Sequence, residues 1–157
     1  TGNGRLTVTV RVQEADFEVG AELAALRRDD PQIGALTAFV GLVREMNEGA
    51  GVSEMTLEHY PGMTERALEE IVGEARRRWA VIDSLVIHRV GRLLPTDQIV
   101  LVAVIGVHRG ETFAACQFII DTLKTRAPFW KREVTPAGGR WVDARAADDQ
   151  AAERWQE

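Results

Sequence analysis

The sequence predicts an α+β domain with a largely antiparallel sheet and packed helices, and three observations carry that prediction. Strand-like segments follow one another across tight turns instead of alternating regularly with helices. Two stretches, 61–79 and 111–126, repeat apolar residues at helical spacing. A nearly unbroken apolar run, 99–107, suits the middle of a sheet, where both faces of a strand are covered.

The elements follow in order. Residues 6–12 alternate Leu6, Val8, Val10 and Val12, the period of a half-buried strand. A short helix is predicted over 19–28, with Leu23 and Leu26 inward and Asp29-Asp30-Pro31 closing it. An apolar strand over 35–43 ends at Arg44 and leads into a polar, glycine-rich loop at 45–51. A strand over 56–60 then returns, and the two strands are expected to form a hairpin. Pro61 is expected to open the next helix, where its missing N–H costs nothing. In that helix Leu68, Ile71, Val72 and Ala75 face inward, and Glu69, Glu70 and the arginines 76–78 cover the other side.

A strand over 85–90 turns through 91–97 into the apolar run. The third helix places Phe113, Cys116, Ile120 and Leu123 on one stripe, and Pro128 stops it. Gly138 and Gly139 are read as a turn, and the Ala/Asp/Glu-rich stretch 146–157 as a terminal helix. The 157 residues fit one domain, 1–157, with residues 1–4 a processed or appended end.

Composition narrows the functions. Hydrophobic residues make up 45% and charged residues 27%, the balance of an ordinary globular protein. No apolar run reaches the ~20 residues that span a bilayer, and the first residues lack a secretory pattern, so a cytoplasmic location is expected. One cysteine, Cys116, excludes an intrachain disulfide, and the three histidines lack metal-ligand spacing. A net charge of −5 argues against nucleic acid as a partner. No phosphate-loop, dinucleotide or nucleophile-elbow motif is present.

The basic residues are unevenly spread. Lys124, Arg126, Lys131 and Arg132 fall in nine residues without an acid, beside Phe129 and Trp130. Cations next to aromatic rings suit a flat, anionic heterocycle. Crowded cations also disfavour one another's charge, which can leave a lysine usable as a base or nucleophile. The pattern leaves open a plainer arrangement, with Lys124 paired to Asp121 one turn earlier and Trp130 in the core. His108 and Arg109 end the central strand before a helix, a place where anions meet free backbone N–H groups. Arg44 ends another apolar strand. Each of the three has the alternative of a solvated strand end or cap. His88-Arg89 lies inside a strand and is assigned to structure, Cys116 to packing, and His59 is a minor candidate.

Four segments together carry a resemblance. They are Leu57-Glu-His-Tyr-Pro-Gly-Met-Thr-Glu65, His88-Arg-Val-Gly91, Val107-His-Arg109 and Lys124-Thr-Arg-Ala-Pro-Phe-Trp-Lys-Arg-Glu133. In this order they resemble the large, catalytic subunit of molybdopterin synthase, and the likeness runs from about residue 17 to 155. The resemblance implies an α/β-hammerhead fold and a homodimer of large subunits within a heterotetramer. A small ubiquitin-like sulfur-carrier subunit would thread its Gly-Gly tail, as a C-terminal thiocarboxylate, into a pocket of the large subunit. Sulfur would pass to cyclic pyranopterin monophosphate (precursor Z), and two transfers would make the dithiolene of molybdopterin. No metal or redox cofactor is implied.

Carried over by position, Lys124 resembles the family's acid/base or covalent lysine, and Lys131 the group that stabilises the thiocarboxylate or its oxyanion. Arg44, His108, Arg109, Arg132 and Glu133 match substrate-pocket positions. Arg145, in Trp141-Val-Asp-Ala-Arg145, matches a basic residue that reaches the neighbouring subunit's site. Leu42 departs from the pattern, since many members carry lysine there. Two rival readings remain: a noncatalytic dimeric module that binds a Gly-Gly tail, and a different phosphate-handling hydrolase. The cluster of cations argues against the first, and the lack of paired carboxylates or metal ligands against the second.

Overall fold

The structure is a computed structural model that describes residues 8–47, 50–51, 54–135 and 138–142, with 153 and 155. Its strands are β1 (Val8–Gln13), β2 (Ala35–Leu42), β3 (Met46–Asn47), β4 (Ala50–Gly51), β5 (Glu54–His59), β6 (Asp83–Arg89), β7 (Gly91–Leu93), β8 (Gln98–Gly106), β9 (Phe129–Thr135) and β10 (Gly138–Val142). Its helices are α1 (Val19–Arg27), α2 (Met63–Arg78) and α3 (Arg109–Arg126). One sheet runs β1-β6-β8-β2 and a second β10-β9-β5-β7, while β3 and β4 pair alone. Only the β1–β6 pair is parallel among the described strands, so the α+β, largely antiparallel expectation holds.

The apolar run becomes β8, between β6 and β2. Its side chains alternate between two cores. Val100, Val102 and Val104 meet α2 and α3, while Leu101, Ala103 and Ile105 join Phe17 and Leu26 on the α1 side. A strand covered on both faces has no polar face to show, hence the unbroken apolar sequence. A third cluster, Met55, Leu57, Val43, Val90 and Leu93, ties the second sheet to the first. No helix of the described residues is long and apolar enough to cross a membrane.

Several expectations change. The hairpin joining the strands at 35–43 and 56–60 does not form: β2 pairs with β8, and β5 lies between β9 and β7. The apolar β8 offers β2 eight paired positions and a buried face, which the more polar 54–59 segment does not match. Part of the glycine-rich loop pairs with itself, Met46 opposite Gly51 and Asn47 opposite Ala50. Residues 91–93 of the connection after β6 form β7, which joins the second sheet. Gly138 and Gly139 are strand residues opposite Thr135 and Val134. The terminal helix lies outside the described residues except at Glu153 and Trp155.

Pro61 precedes α2 without entering it. Gly62 is the N-cap at φ 86°, a left-handed geometry that glycine adopts without strain, and its N–H donates to Glu65 Oε1 at 2.7 Å. Thr64 Oγ1 accepts from Tyr60 N and donates to the Pro128 carbonyl, both at 3.0 Å, fastening the start of α2 to the break after α3. Phe113 is exposed, not on the buried stripe; Thr112 takes the inward place there and hydrogen-bonds Thr37 at 2.8 Å. At the end of β8 the chain passes very close to itself. Gly34 N donates to Gly106 O, and a Cβ on Gly34 would stand 2.2 Å from the Val107 carbonyl oxygen. Glycine is therefore required for the loop before β2 to pass beside Val107.

Candidate functional site

The two sheets and the end of α3 meet around one pocket of about 530 Å³. Its walls are apolar: Met55 and Leu57 of β5, Ile99 and Val100 of β8, Ile120 and Leu123 of α3, and Phe129 of β9. Arg44, Lys124 and Lys131 converge on it from the end of β2, the last turn of α3 and the third residue of β9. None of the described lining residues is acidic. Three cations over an apolar floor suit an anionic ligand with a flat or side-chain-free body.

Strand pairing explains which residues of the basic segment arrive. Leu57 stands opposite Lys131 and His59 opposite Phe129, so these four side chains share the inward face. Trp130 and Arg132 alternate to the other face, where Trp130 packs edge-on against Tyr60 with centroids 4.1 Å apart. Trp130 and Arg132 therefore do not line the pocket, although Phe129 does. Glu133 stands opposite Met55 in the β9 backbone, but its side chain lies outside the described residues, as does the whole of Arg145.

The plainer reading of Lys124 does not hold. Lys124 makes no ion pair among the described residues, and the Asp121 carboxylate accepts from Trp155 Nε1 at 2.8 Å. Leu42 is 53% exposed at the pocket mouth, beside a bulge between Gly41 and Leu42. A lysine missing at this position removes a cation from the rim, not from the floor.

His108 and Arg109 are not brought to this pocket. His108 is the N-cap of α3 and Arg109 its first residue, whereas Lys124 lies in the last turn. Fifteen residues of helix separate Arg109 from Lys124, about 22 Å. Both are exposed, next to exposed Val107 and Phe113.

His88 is the residue that sequence reasoning assigned to structure and that the fold puts in the pocket wall. It shares the face of Val86, stacks on Phe129 with centroids 3.9 Å apart, and lies 2.9 Å through Nδ1 from the Arg89 carbonyl. Burial pushes its pKa from 6.5 down to about 4, with further lowering from the positive charge of Lys124 and from His59. The unfolded chain thus binds a proton between pH 6.5 and 4 that the fold refuses. Stability from this group is complete above pH 6.5 and is lost as the pH falls to about 4, amounting to about 3 kcal/mol. Unfolding free energies of wild type and His88→Gln should converge across that window; a parallel pH dependence for the two would refute the burial of a neutral ring. Cys116, as expected, is packing: its thiol is buried, points at the Val102 carbonyl at 3.6 Å, and has its pKa raised to about 12.

Residues 12–126 match the protein family described as MoaE protein. The chain belongs to the MoaE family. Among MoaE relatives, the molybdopterin synthase catalytic subunit of Ralstonia nicotianae is 66% identical over 94% of this chain and 84% of its own length. The protein of the same name from Escherichia coli is 58% identical over 88% of this chain and 92% of its own. The solved molybdopterin biosynthesis MoaE protein of Burkholderia ambifaria superposes with a TM-score of 0.82 at 59% identity, covering 95% of this chain and 98% of that one. The MoaE fold is thus shared along nearly the whole chain.

Proposed function

We propose that this chain is the catalytic subunit of a molybdopterin synthase, an enzyme that moves sulfur onto a pterin in molybdenum cofactor biosynthesis. The observation that carries the proposal is the convergence of Arg44, Lys124 and Lys131 on one apolar pocket. In this reading a small ubiquitin-like carrier presents its C-terminal thiocarboxylate there, and precursor Z is the acceptor. That relatives are named a catalytic subunit supports a second subunit in the assembly.

The residues divide the work by their chemistry. The thiocarboxylate sulfur bonds to a pterin carbon as an oxygen leaves that carbon. Water then attacks the acyl carbon, the acyl C–S bond breaks, and the carrier departs as a carboxylate with sulfur left on the pterin. The Lys131 ammonium stabilises the charge that gathers on the acyl oxygen, inside apolar walls where solvent screens it little. Lys124 takes or returns the proton that moves as sulfur changes hands. Arg44 pairs with the substrate phosphate through its planar fork. Glu133, Arg132 and Arg145 remain candidates for holding substrate or carrier.

The separation of His108 and Arg109 from Lys124 supports a homodimer. A second copy can bring them to this pocket, and pairing would also cover exposed Phe39 and Leu42 at the mouth and exposed Val107 and Phe113 at the far end of α3. The test is turnover with precursor Z and thiocarboxylated carrier, read as the fluorescent oxidised derivative of molybdopterin. Product supports the reading. A stable carrier complex without product would favour a noncatalytic module.

A further inference from the structure

The pocket has a one-sided hydrogen-bonding inventory. Arg44, Lys124 and Lys131 are donors only, and the aliphatic and phenyl walls neither donate nor accept. Among the described lining residues, the one strong side-chain acceptor is a ring nitrogen of His88. A carbonyl only accepts, so the nitrogen 2.9 Å from the Arg89 carbonyl, Nδ1, must carry the proton. Nε2 is then left as a bare acceptor. It makes no hydrogen bond among the described residues, yet it is absent from the sealed, partnerless polar atoms, which are Arg11 Nε and Ser84 Oγ. The ring that carries it lines the pocket. Stacking on Phe129, at 19° between ring planes, fixes the direction in which that lone pair points. The groups whose charge reaches the ring are Lys124 and His59, and both disfavour its protonation.

We propose that His88 is a ligand-binding residue of this pocket, its Nε2 accepting a hydrogen bond from an N–H of the substrate held under the three cations. The proposal rests on the sulfur-transfer reading and deepens it. Two substrates of that reaction carry such a donor: a backbone amide of the carrier tail, and a ring N–H of the pterin. Either would place its anionic end against the cations and its N–H against His88, so the pocket reads both ends of the ligand.

His88→Phe keeps an aromatic ring on Phe129 and deletes the acceptor. His88→Gln restores an acceptor at a similar reach. The expected result is a rise of about tenfold in the KM of one substrate for His88→Phe, with a much smaller change in kcat, reversed in His88→Gln. A rise confined to the carrier assigns the N–H to the tail amide, and one confined to precursor Z assigns it to the heterocycle. Unchanged KM values for both substrates, in a background where wild type turns over, overturn the role of His88 alone. Wild type that binds carrier but never turns over overturns the sulfur-transfer reading and this inference with it. Melting temperatures report whether each variant folds; should His88→Phe fail, His88→Leu is the acceptor-free variant, judged by the same KM criterion.

Discussion

Lys124→Ala is expected to lower kcat by about 10²- to 10⁴-fold, the range for loss of a positioned acid or base. The fold should not notice. Lys124 is exposed on the last turn of α3 and makes no ion pair among the described residues, and alanine is the better helix former. Carrier affinity should persist, because the apolar floor and Lys131 remain. Lys124→Arg separates the two tasks of an amine: guanidinium keeps the positive charge but does not give up its proton near neutral pH. If Lys124 transfers protons, arginine is nearly as damaging as alanine; if it serves only as a charge, arginine restores most of kcat. Turnover of Lys124→Ala close to wild type would remove Lys124 from the chemistry.

Phe118→Ala carries the largest expected cost in stability, about 3–5 kcal/mol. Phe118 is 1% exposed, and three partners close around it: Trp79 at 5.5 Å and Trp155 at 5.7 Å between centroids, both edge-on, and the Arg78 guanidinium 4.8 Å above the ring. Arg78 and Trp79 come from the end of α2 and Trp155 from the C-terminal stretch, so the vacated space cannot be refilled by one side chain turning inward. Urea unfolding at neutral pH reads the loss directly. A cost below about 1 kcal/mol would mean that the cluster collapses around the gap. Because α3 carries Lys124 six residues later, less than two turns on, pocket affinity should weaken alongside stability.

Much of this architecture was legible in residue order. The all-apolar run announced a central strand, since only a strand buried on both faces can dispense with polar residues, and β8 is that strand. The helices announced themselves through Leu68, Ile71 and Val72, and through Cys116, Ile120 and Leu123. Pairing was less legible: nothing local to Ala35–Leu42 says that its partner lies some sixty residues on, and turn signals favoured a hairpin that does not exist. The same blindness affected the site. Lys131 and Arg132 are adjacent basic residues, and only the register of β9 against β5 turns one inward and the other outward. His88 looked structural because it sits inside a strand. Its significance comes from Phe129, forty-one residues away, which stacks on the ring in the wall of the cavity. A strand histidine on the same face as Val86 was the available clue.

The length of α3 has a genetic consequence. In the proposed dimer, each pocket draws Lys124 from one chain and Arg109 from the other, because one helix holds both residues too far apart to serve a single pocket. Two alleles that are each inactive alone, one altered at Lys124 and one at Arg109, would then complement when expressed together. In a mixed dimer one pocket receives both lesions and its twin receives neither.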